Sequence, residues 1–328
     1  MDSLMTLGIL IILFLQSLGS WSTAPMQFFT FLGSEEFYLF AAPALVWCVD
    51  VGIGLRAGIA LMSSGVVNHL VKTALFQPRP YWIDARVIPL AAETSFGAPS
   101  GHAQNAVTVW GSLAYSARRR WAWAAALFLM LMIGVSRWFL GVHFPHDSLL
   151  GWLLGALLLW ALVRFEQPVL RRLLHYPLAE QVGIVFGASL VIMLVGALVT
   201  LLQGGRTLSA EWAVLAARAP GGEPIAPLAL SGLISNAAVF FGMAAGGLLL
   251  HHAGWMESRA PAWKLAARYV LGVLGVFALW FGLGAVFPRG ETLLPFMLRF
   301  VRYALVGCWI TYIAPVLFIR LGLATRCR

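Results

Sequence analysis

The chain has 328 residues, of which 60% are hydrophobic and only 11% charged, with a mean hydropathy of +0.84. Soluble domains carry about a quarter charged residues, so this composition excludes a water-soluble globular fold. The net charge of +9 comes from basic residues scattered in short loops at the ends of apolar runs, which argues against a nucleic-acid partner and for a membrane protein obeying the positive-inside bias.

In chain order, the apolar stretch from Leu4 to Leu18 comes first. No Lys- or Arg-bearing region precedes it and no small-residue cleavage site comes after it, so it predicts an interfacial or re-entrant helix, with a full span as the alternative, and not a removable signal peptide. Apolar runs long enough to span then lie near 37–55, 57–76, 102–117, 122–141, 148–165, 181–202, 227–250, 266–287 and 297–323. The intervening segments carry loop chemistry: Pro78 to Gly101 is rich in Pro, Gly and polar residues, Ala117 to Arg120 is basic, and Gly204 to Pro227 is rich in Gly, Pro and charge. The predicted fold class is all-α, a polytopic transmembrane bundle of about nine helices. Cys48, Cys308 and Cys327 are odd in number and unpatterned, which indicates neither a disulfide framework nor a metal site.

If the first span starts outside the cytoplasm, the cytoplasmic loops and tail hold 13 of the 22 basic residues, among them Arg118, Arg119, Arg120, Arg171 and Arg172. The opposite side holds Lys72, Arg79, Arg86, Arg137, Arg206, Arg218, Arg289, Arg299 and Arg302. This bias predicts that the polar clusters around Lys72, His102 and His143 face the extracytoplasmic side.

Lys72 and Arg79 close the second run and are seven residues apart, two helical turns, so they are expected on one face. Cations at a membrane edge are costly unless paired or working, and carboxylates to pair with them are few. Pro99-Ser100-Gly101-His102 leads straight into the third run, so Ser100 and Gly101 should sit at a helix N-terminus, where free N–H groups favour an anion. A serine nucleophile at Ser100 is disfavoured, because Gly97-Ala98-Pro99-Ser100-Gly101 is not a G-x-S-x-G elbow. Ser136-Arg137, His143 and Asp147 form the third cluster. His143 and Asp147 are four apart with Pro145 suited to a first helical turn, so the carboxylate can reach one imidazole nitrogen and leave the other as nucleophile or base. Arg137 adds a guanidinium fork that matches phosphate oxygens. Three cations, a helix N-terminus and two histidines are what in-line phosphoryl transfer requires. Glu35, Glu36, Asp84, Glu93 and Asp147 are too dispersed for a two-metal site, so neither metal nor cofactor is expected.

Lys72-Thr-Ala-Leu-Phe-Gln-Pro-Arg79-Pro80, Pro99-Ser-Gly-His102 and Ser136-Arg-Trp-Phe-Leu-Gly-Val-His143-Phe-Pro-His-Asp147 resemble the three signatures of the type 2 phosphatidic acid phosphatase superfamily. The resemblance implies that His143 attacks phosphorus to give a phosphohistidine, that Asp147 orients it, and that His102 protonates the leaving alkoxide. It also implies that Lys72, Arg79, Ser100, Gly101 and Arg137 bind the phosphoryl oxygens. Arg79-Pro-Tyr-Trp82, Val142-His-Phe-Pro-His146, the chain length and the helix count are similar to the glucose-6-phosphatase branch, from which Asp147 departs.

The expected organisation is an interfacial segment (1–36), a catalytic helix bundle (37–175) and additional transmembrane helices (176–328). The expected activity is hydrolysis of lipid phosphomonoesters or diphosphates, with a sugar phosphatase and a lipid phosphotransferase as the rival readings. The expected partners are the lipid phosphate and the bilayer. The Ala- and Arg-rich composition points to a bacterial inner membrane, and no oligomeric state is implied.

Overall fold

The computed structural model describes residues 3–221 and 223–327, and among them every named element is helical; the one β feature is an isolated bridge between Met256 and Arg326. The helices are α1 (Ser3–Gln16), α2 (Thr23–Phe31), α3 (Glu35–Ala44), α4 (Val51–Leu75), α5 (Pro80–Ile83), α6 (Gly101–Ala117), α7 (Arg120–Phe139), α8 (Pro145–Leu173), α9 (Leu178–Leu202), α10 (Ala210–Ala216), α11 (Ser231–Ala253), α12 (Ala262–Phe277), α13 (Leu283–Val286), α14 (Leu293–Cys308) and α15 (Ala314–Arg320). π-helical turns at Leu45–Val49, Ala278–Gly282 and Trp309–Ile313 extend the C-terminal ends of α3, α12 and α14.

Seven helical stretches among the described residues are long and apolar enough to cross a membrane, so the protein is a multi-pass membrane protein. Two of the nine predicted runs differ from the sequence reading. Residues 37–55 do not form one straight helix, because Asp50 is extended and its Oδ1 accepts the Ile53 amide at 2.8 Å, capping a new helix start. α6 forms over the run at 102–117, but at 17 residues it is shorter than those seven, and it buries Gln104, Thr108 and Ser112 along with its alanines, so it packs mainly against protein. The N-terminal stretch forms α1, and the pair α1 with the segment to Phe31 bends by 94° at Gly19, as a broken span or re-entrant element does.

The chain divides into two compact units. The first comprises Met1–Phe37, Val67–Leu159 and Gly196–Ala229. Its core joins Ile9 and Ile12 of α1 to Tyr81, Trp82, Phe96, Phe139, Val142 and Phe144, while α6 and α7 pack around Ala106, Met130 and Ile133. Gln16 fastens α1 to this core: its amide donates to the carbonyls of Ile88 (2.7 Å) and Phe139 (3.0 Å), and its oxygen accepts the Ile88 amide. The segment after α9 folds back over the same end. Trp212 of α10 packs on Trp82 and Phe76, Arg206 lies 4.8 Å over the Phe76 ring, and the Ala226 amide donates to the Thr94 carbonyl at 3.0 Å.

The second unit comprises Tyr38–Val66, Trp160–Val195 and Leu230–Arg328. α11 and α14 approach closely because Gly242 and Gly246, one turn apart, face the Ala304 carbonyl and Thr311 where no Cβ fits. The buried Arg268 guanidinium donates to the backbone carbonyls of Trp47, Ser258 and Leu323, tying α12 to the segments on either side.

Candidate active site

α8 starts on Pro145 at its first position, where the missing N–H costs nothing, and Asp147 lies in its first turn. From there the Asp147 Oδ2 accepts the Phe144 amide at 2.9 Å and lies 3.2 Å from His143 Nδ1. His143 is almost completely buried, and its Nε2 is 3.1 Å from Arg79 Nη1. Burial, and after it the Arg79, Lys72 and Arg137 charges, hold the His143 imidazolium pKa well below its ordinary value, so the ring is neutral. His146 stacks on Phe144 at 5.0 Å with its Nε2 3.4 Å from the other Asp147 oxygen, which among the described residues has no hydrogen-bond partner.

Ser100 is the N-cap of α6: its Oγ accepts the Ala103 amide at 3.4 Å, and its own amide donates to the Asp147 carbonyl at 2.9 Å. The start of α6 and the start of α8 are therefore joined backbone to backbone. Asn68 of α4 reinforces this end by donating to the Pro99 carbonyl (3.2 Å) and to Gln104 Oε1 (2.9 Å). Gly97 is required here because a Cβ would come 2.6 Å from the Pro78 carbonyl and 3.3 Å from Asp147 Oδ2. The Ala98–Pro99 bond is cis.

Lys72 and Arg79 converge, though not along one helical face as their spacing implied. α4 stops at Leu75, Phe76 adopts a left-handed conformation (φ 54°), and Arg79 caps the short α5. A non-glycine residue pays about 1–2 kcal/mol for that conformation, offset here by burial of the Phe76 ring 4.4 Å from Phe96. The turn brings both cations onto Ser95: Lys72 Nζ donates to the Phe96 carbonyl (2.9 Å) and Ser95 Oγ (3.4 Å), and Arg79 donates to the Ser95 carbonyl (2.7 Å), Ser95 Oγ (3.1 Å) and the Val142 carbonyl (2.9 Å).

Glu93 is the group that sequence reasoning considered only as a metal ligand. One oxygen pairs with Arg79 Nη2 at 3.3 Å and the other with Arg137 Nη2 in a short contact, so a single carboxylate bridges the two guanidiniums. Its backbone is held by Tyr81, whose hydroxyl donates to the Glu93 carbonyl and accepts the Glu93 amide. Burial alone would raise its pKa, but Arg79 and Arg137 outweigh that and hold it far below the ordinary carboxylate range. Arg137 also donates to Thr30 Oγ1 of α2 at 2.6 Å. His102, in the first turn of α6, is half-buried and feels the charges of Arg137 and Glu93, with its ring beside Gly33.

The predicted residues Lys72, Arg79, Ser100, Gly101, His102, Arg137, His143 and Asp147 thus all lie in the first unit. The signal that pointed to Glu93 was the charge count: cations that need an anion, and one acidic residue in the loop between Arg79 and His102 that does not pair locally, since Asp84 is taken by the exposed Arg86. The arrangement presents a neutral imidazole nitrogen beside a guanidinium, with a second guanidinium held to the first through one carboxylate. Such a site can bind a tetrahedral oxyanion and deliver a nitrogen nucleophile to its centre.

Residues 53–171 match the family model "PAP2 superfamily", and residues 234–326 match "PAP2 superfamily phosphatase, transmembrane extension". The chain is 26% identical to glucose-6-phosphatase 3 of Bos taurus, over 96% of this chain and 95% of that one. It is 29% identical to phosphatidylglycerophosphatase B of Bacillus subtilis, over 46% of this chain and 78% of the relative. Among solved structures, a transmembrane PAP2-type phosphatidylglycerolphosphate phosphatase from Bacillus subtilis is similar with a TM-score of 0.44 and 25% identity, covering 52% of this chain and 89% of that one.

Proposed function

Because the chain belongs to the PAP2 superfamily, we propose that it is a membrane phosphatase that hydrolyses phosphate esters through a phosphohistidine on His143. The observation that carries this reading is the His143 ring, held by Asp147 on Nδ1 and by Arg79 on Nε2. A guanidinium has donors only, so Nε2 carries its lone pair and Nδ1 its proton, the tautomer a nitrogen nucleophile needs.

In the first step, Nε2 forms a bond to phosphorus while the bond to the ester oxygen breaks. His102 gives its proton to the leaving oxygen. Asp147 stabilises the positive charge that develops on the ring, as a carboxylate behind an imidazole does in acyl transfer. In the second step, His102 takes a proton from water, whose oxygen attacks phosphorus and releases inorganic phosphate and the free ring. Arg79, Arg137 and Lys72, with the Ser100 hydroxyl and the Gly101 amide, serve the equatorial oxygens. The same guanidiniums hold Glu93, so a phosphoryl group and the Glu93 carboxylate compete for them, and substrate entry displaces Glu93.

The substrate we propose is a lipid phosphate, admitted sideways at the membrane edge, as the names of relatives such as phosphatidylglycerophosphatase B support. A sugar phosphate is the second reading, favoured by the likeness to glucose-6-phosphatase 3 over almost the whole chain. The scheme needs no metal; the positive-inside bias supports a site on the extracytoplasmic face, and the Ala- and Arg-rich composition supports a bacterial inner membrane.

The test is release of inorganic phosphate by the purified protein in detergent, with chelator present and His143→Ala as control. Phosphatidylglycerol phosphate, phosphatidate, undecaprenyl diphosphate and glucose 6-phosphate are compared. Preference for one lipid is expected; preference for glucose 6-phosphate moves the protein to the second reading, and release that survives in His143→Ala overturns the mechanism.

A further inference from the structure

The second unit holds a cavity of about 480 Å³ between the end of α12, α13 and the start of α14. Its wall is unusual for a membrane-spanning unit: Arg289, Arg299 and Arg302 line it together with Trp280 and Phe287, and no Asp or Glu does. Glu291 is two residues from Arg289 in sequence but is not part of the wall. Among the described residues, none of the three arginines makes an ion pair with a carboxylate.

The cations are positioned, not loose. Tyr303 lies under both helix-borne guanidiniums, 4.8 Å from Arg302 and 5.7 Å from Arg299 by ring centroid, and its hydroxyl accepts Trp280 Nε1 at 3.2 Å. Arg299 is further fixed by donating to Ser235 Oγ at 2.9 Å. Arg302 Nε is buried with no hydrogen-bond partner among the described residues. The part-buried guanidiniums of Arg299 and Arg302 lose hydration beside the Tyr303 ring, and with the exposed Arg289 they gather three like charges whose repulsion an anion relieves.

The surroundings state what kind of anion. Phe281 in the wall, and Val286, Leu293 and Leu294 close to wall residues in sequence, are all exposed large hydrophobic residues, the kind of surface a membrane protein offers to lipid. We propose that this cavity is a binding site for a phosphate group, carried by an anionic phospholipid headgroup or present as free phosphate. The guanidinium forks take the phosphate oxygens, and in the lipid case the exposed apolar rim takes the acyl chains. The site lies in the second unit, whereas every residue of the phosphatase mechanism lies in the first, so it stands whether or not that mechanism does.

The test uses the full chain in detergent, titrated with phosphatidylglycerol or phosphatidylcholine and monitored by native mass spectrometry, and separately with inorganic phosphate, monitored by melting temperature. Each is repeated on Arg289→Gln/Arg302→Gln, and on Arg289→Gln alone, whose side chain is exposed and whose loss leaves the helices packed. Saturable retention of phosphatidylglycerol over phosphatidylcholine, weakened on the order of tenfold in the double variant, supports the site with a lipid source. Stabilisation by inorganic phosphate that the variants remove, without preference between lipids, supports it with a soluble source. Lipid preference and phosphate stabilisation both unchanged in the variants, or both absent in the wild type, overturn it.

Discussion

Arg79 Nη1 lies 3.1 Å from Nε2 of His143, the ring nitrogen opposite the one that faces Asp147. One imidazole is therefore gripped from both sides by opposite charges. The carboxylate takes the proton end and the guanidinium faces the lone pair, so the pair of neighbours selects a tautomer as well as an orientation.

The signs of these charges fix how the ring titrates. Burial and then the Arg79, Lys72 and Arg137 charges disfavour the imidazolium, so the His143 pKa moves down from 6.5 and the ring stays neutral as pH falls through that value. Nitrogen-15 shifts of His143 in the labelled protein should report the Nδ1–H tautomer at neutral pH and show no protonation step near 6.5. A midpoint at or above 6.5 would contradict the assignment.

Removing the nucleophile should leave nothing to accept the phosphoryl group. With labelled substrate and rapid quenching in alkali, the wild type is expected to carry phosphate that is lost in acid, the stability pattern of a phosphorus–nitrogen bond. His143→Ala should carry none and should lose phosphatase activity to a trace. Equal labelling of the two proteins would place the covalent step elsewhere or remove it.

His102 is assigned to the leaving oxygen, so its loss should depend on what leaves. His102→Ala is expected to cost about 10²–10⁴-fold in kcat/KM, which reports the step that expels the leaving group, with an alkyl phosphate and far less with p-nitrophenyl phosphate, whose leaving group needs no proton. Steady-state rates on the two substrates decide this, and equal losses would remove the acid role.

Glu93 competes with the phosphoryl group for Arg79 and Arg137. Glu93→Gln keeps the shape but drops the charge, and should tighten inhibition by orthovanadate about fivefold, the equivalent of roughly 1 kcal/mol. An inhibition constant that is unchanged or weaker would show that Glu93 positions the arginines without opposing the anion.

Much of this site is readable from residue spacing. Pro145 at a first helical turn with Asp147 four residues after His143 is a local pattern, and so is Ser100 as an N-cap, because each involves neighbours within one turn. Contacts that close over longer distances are not. Glu93 meets Arg79 and Arg137 across 14 and 44 residues, and only the deficit of anions hints at it. The spacing of Lys72 and Arg79 predicts their convergence, but helical phase is not its cause, since a left-handed Phe76 makes the turn. Hydropathy marks the helices well and their corners poorly: Asp50 breaks a run whose apolar average hides it, and the apolar α6 packs mainly against protein.

The amide of Ser100 and the carbonyl of Asp147 meet at 2.9 Å, a bond between backbones that no side-chain replacement other than proline at position 100 removes outright. The meeting of the α6 and α8 starts is thereby independent of most side chains, though the reacting groups themselves are not. Divergence can act instead on the surroundings of the site, the stretch from Asp84 to Ala92, which stops short of Glu93 and Ser95, and the segment over it that joins Ala226 to Thr94 and Trp212 to Trp82. A lineage could exchange one phosphate ester for another by rewriting those two stretches while inheriting its chemistry intact, and chimeras swapped at those boundaries are the natural route to altered selectivity.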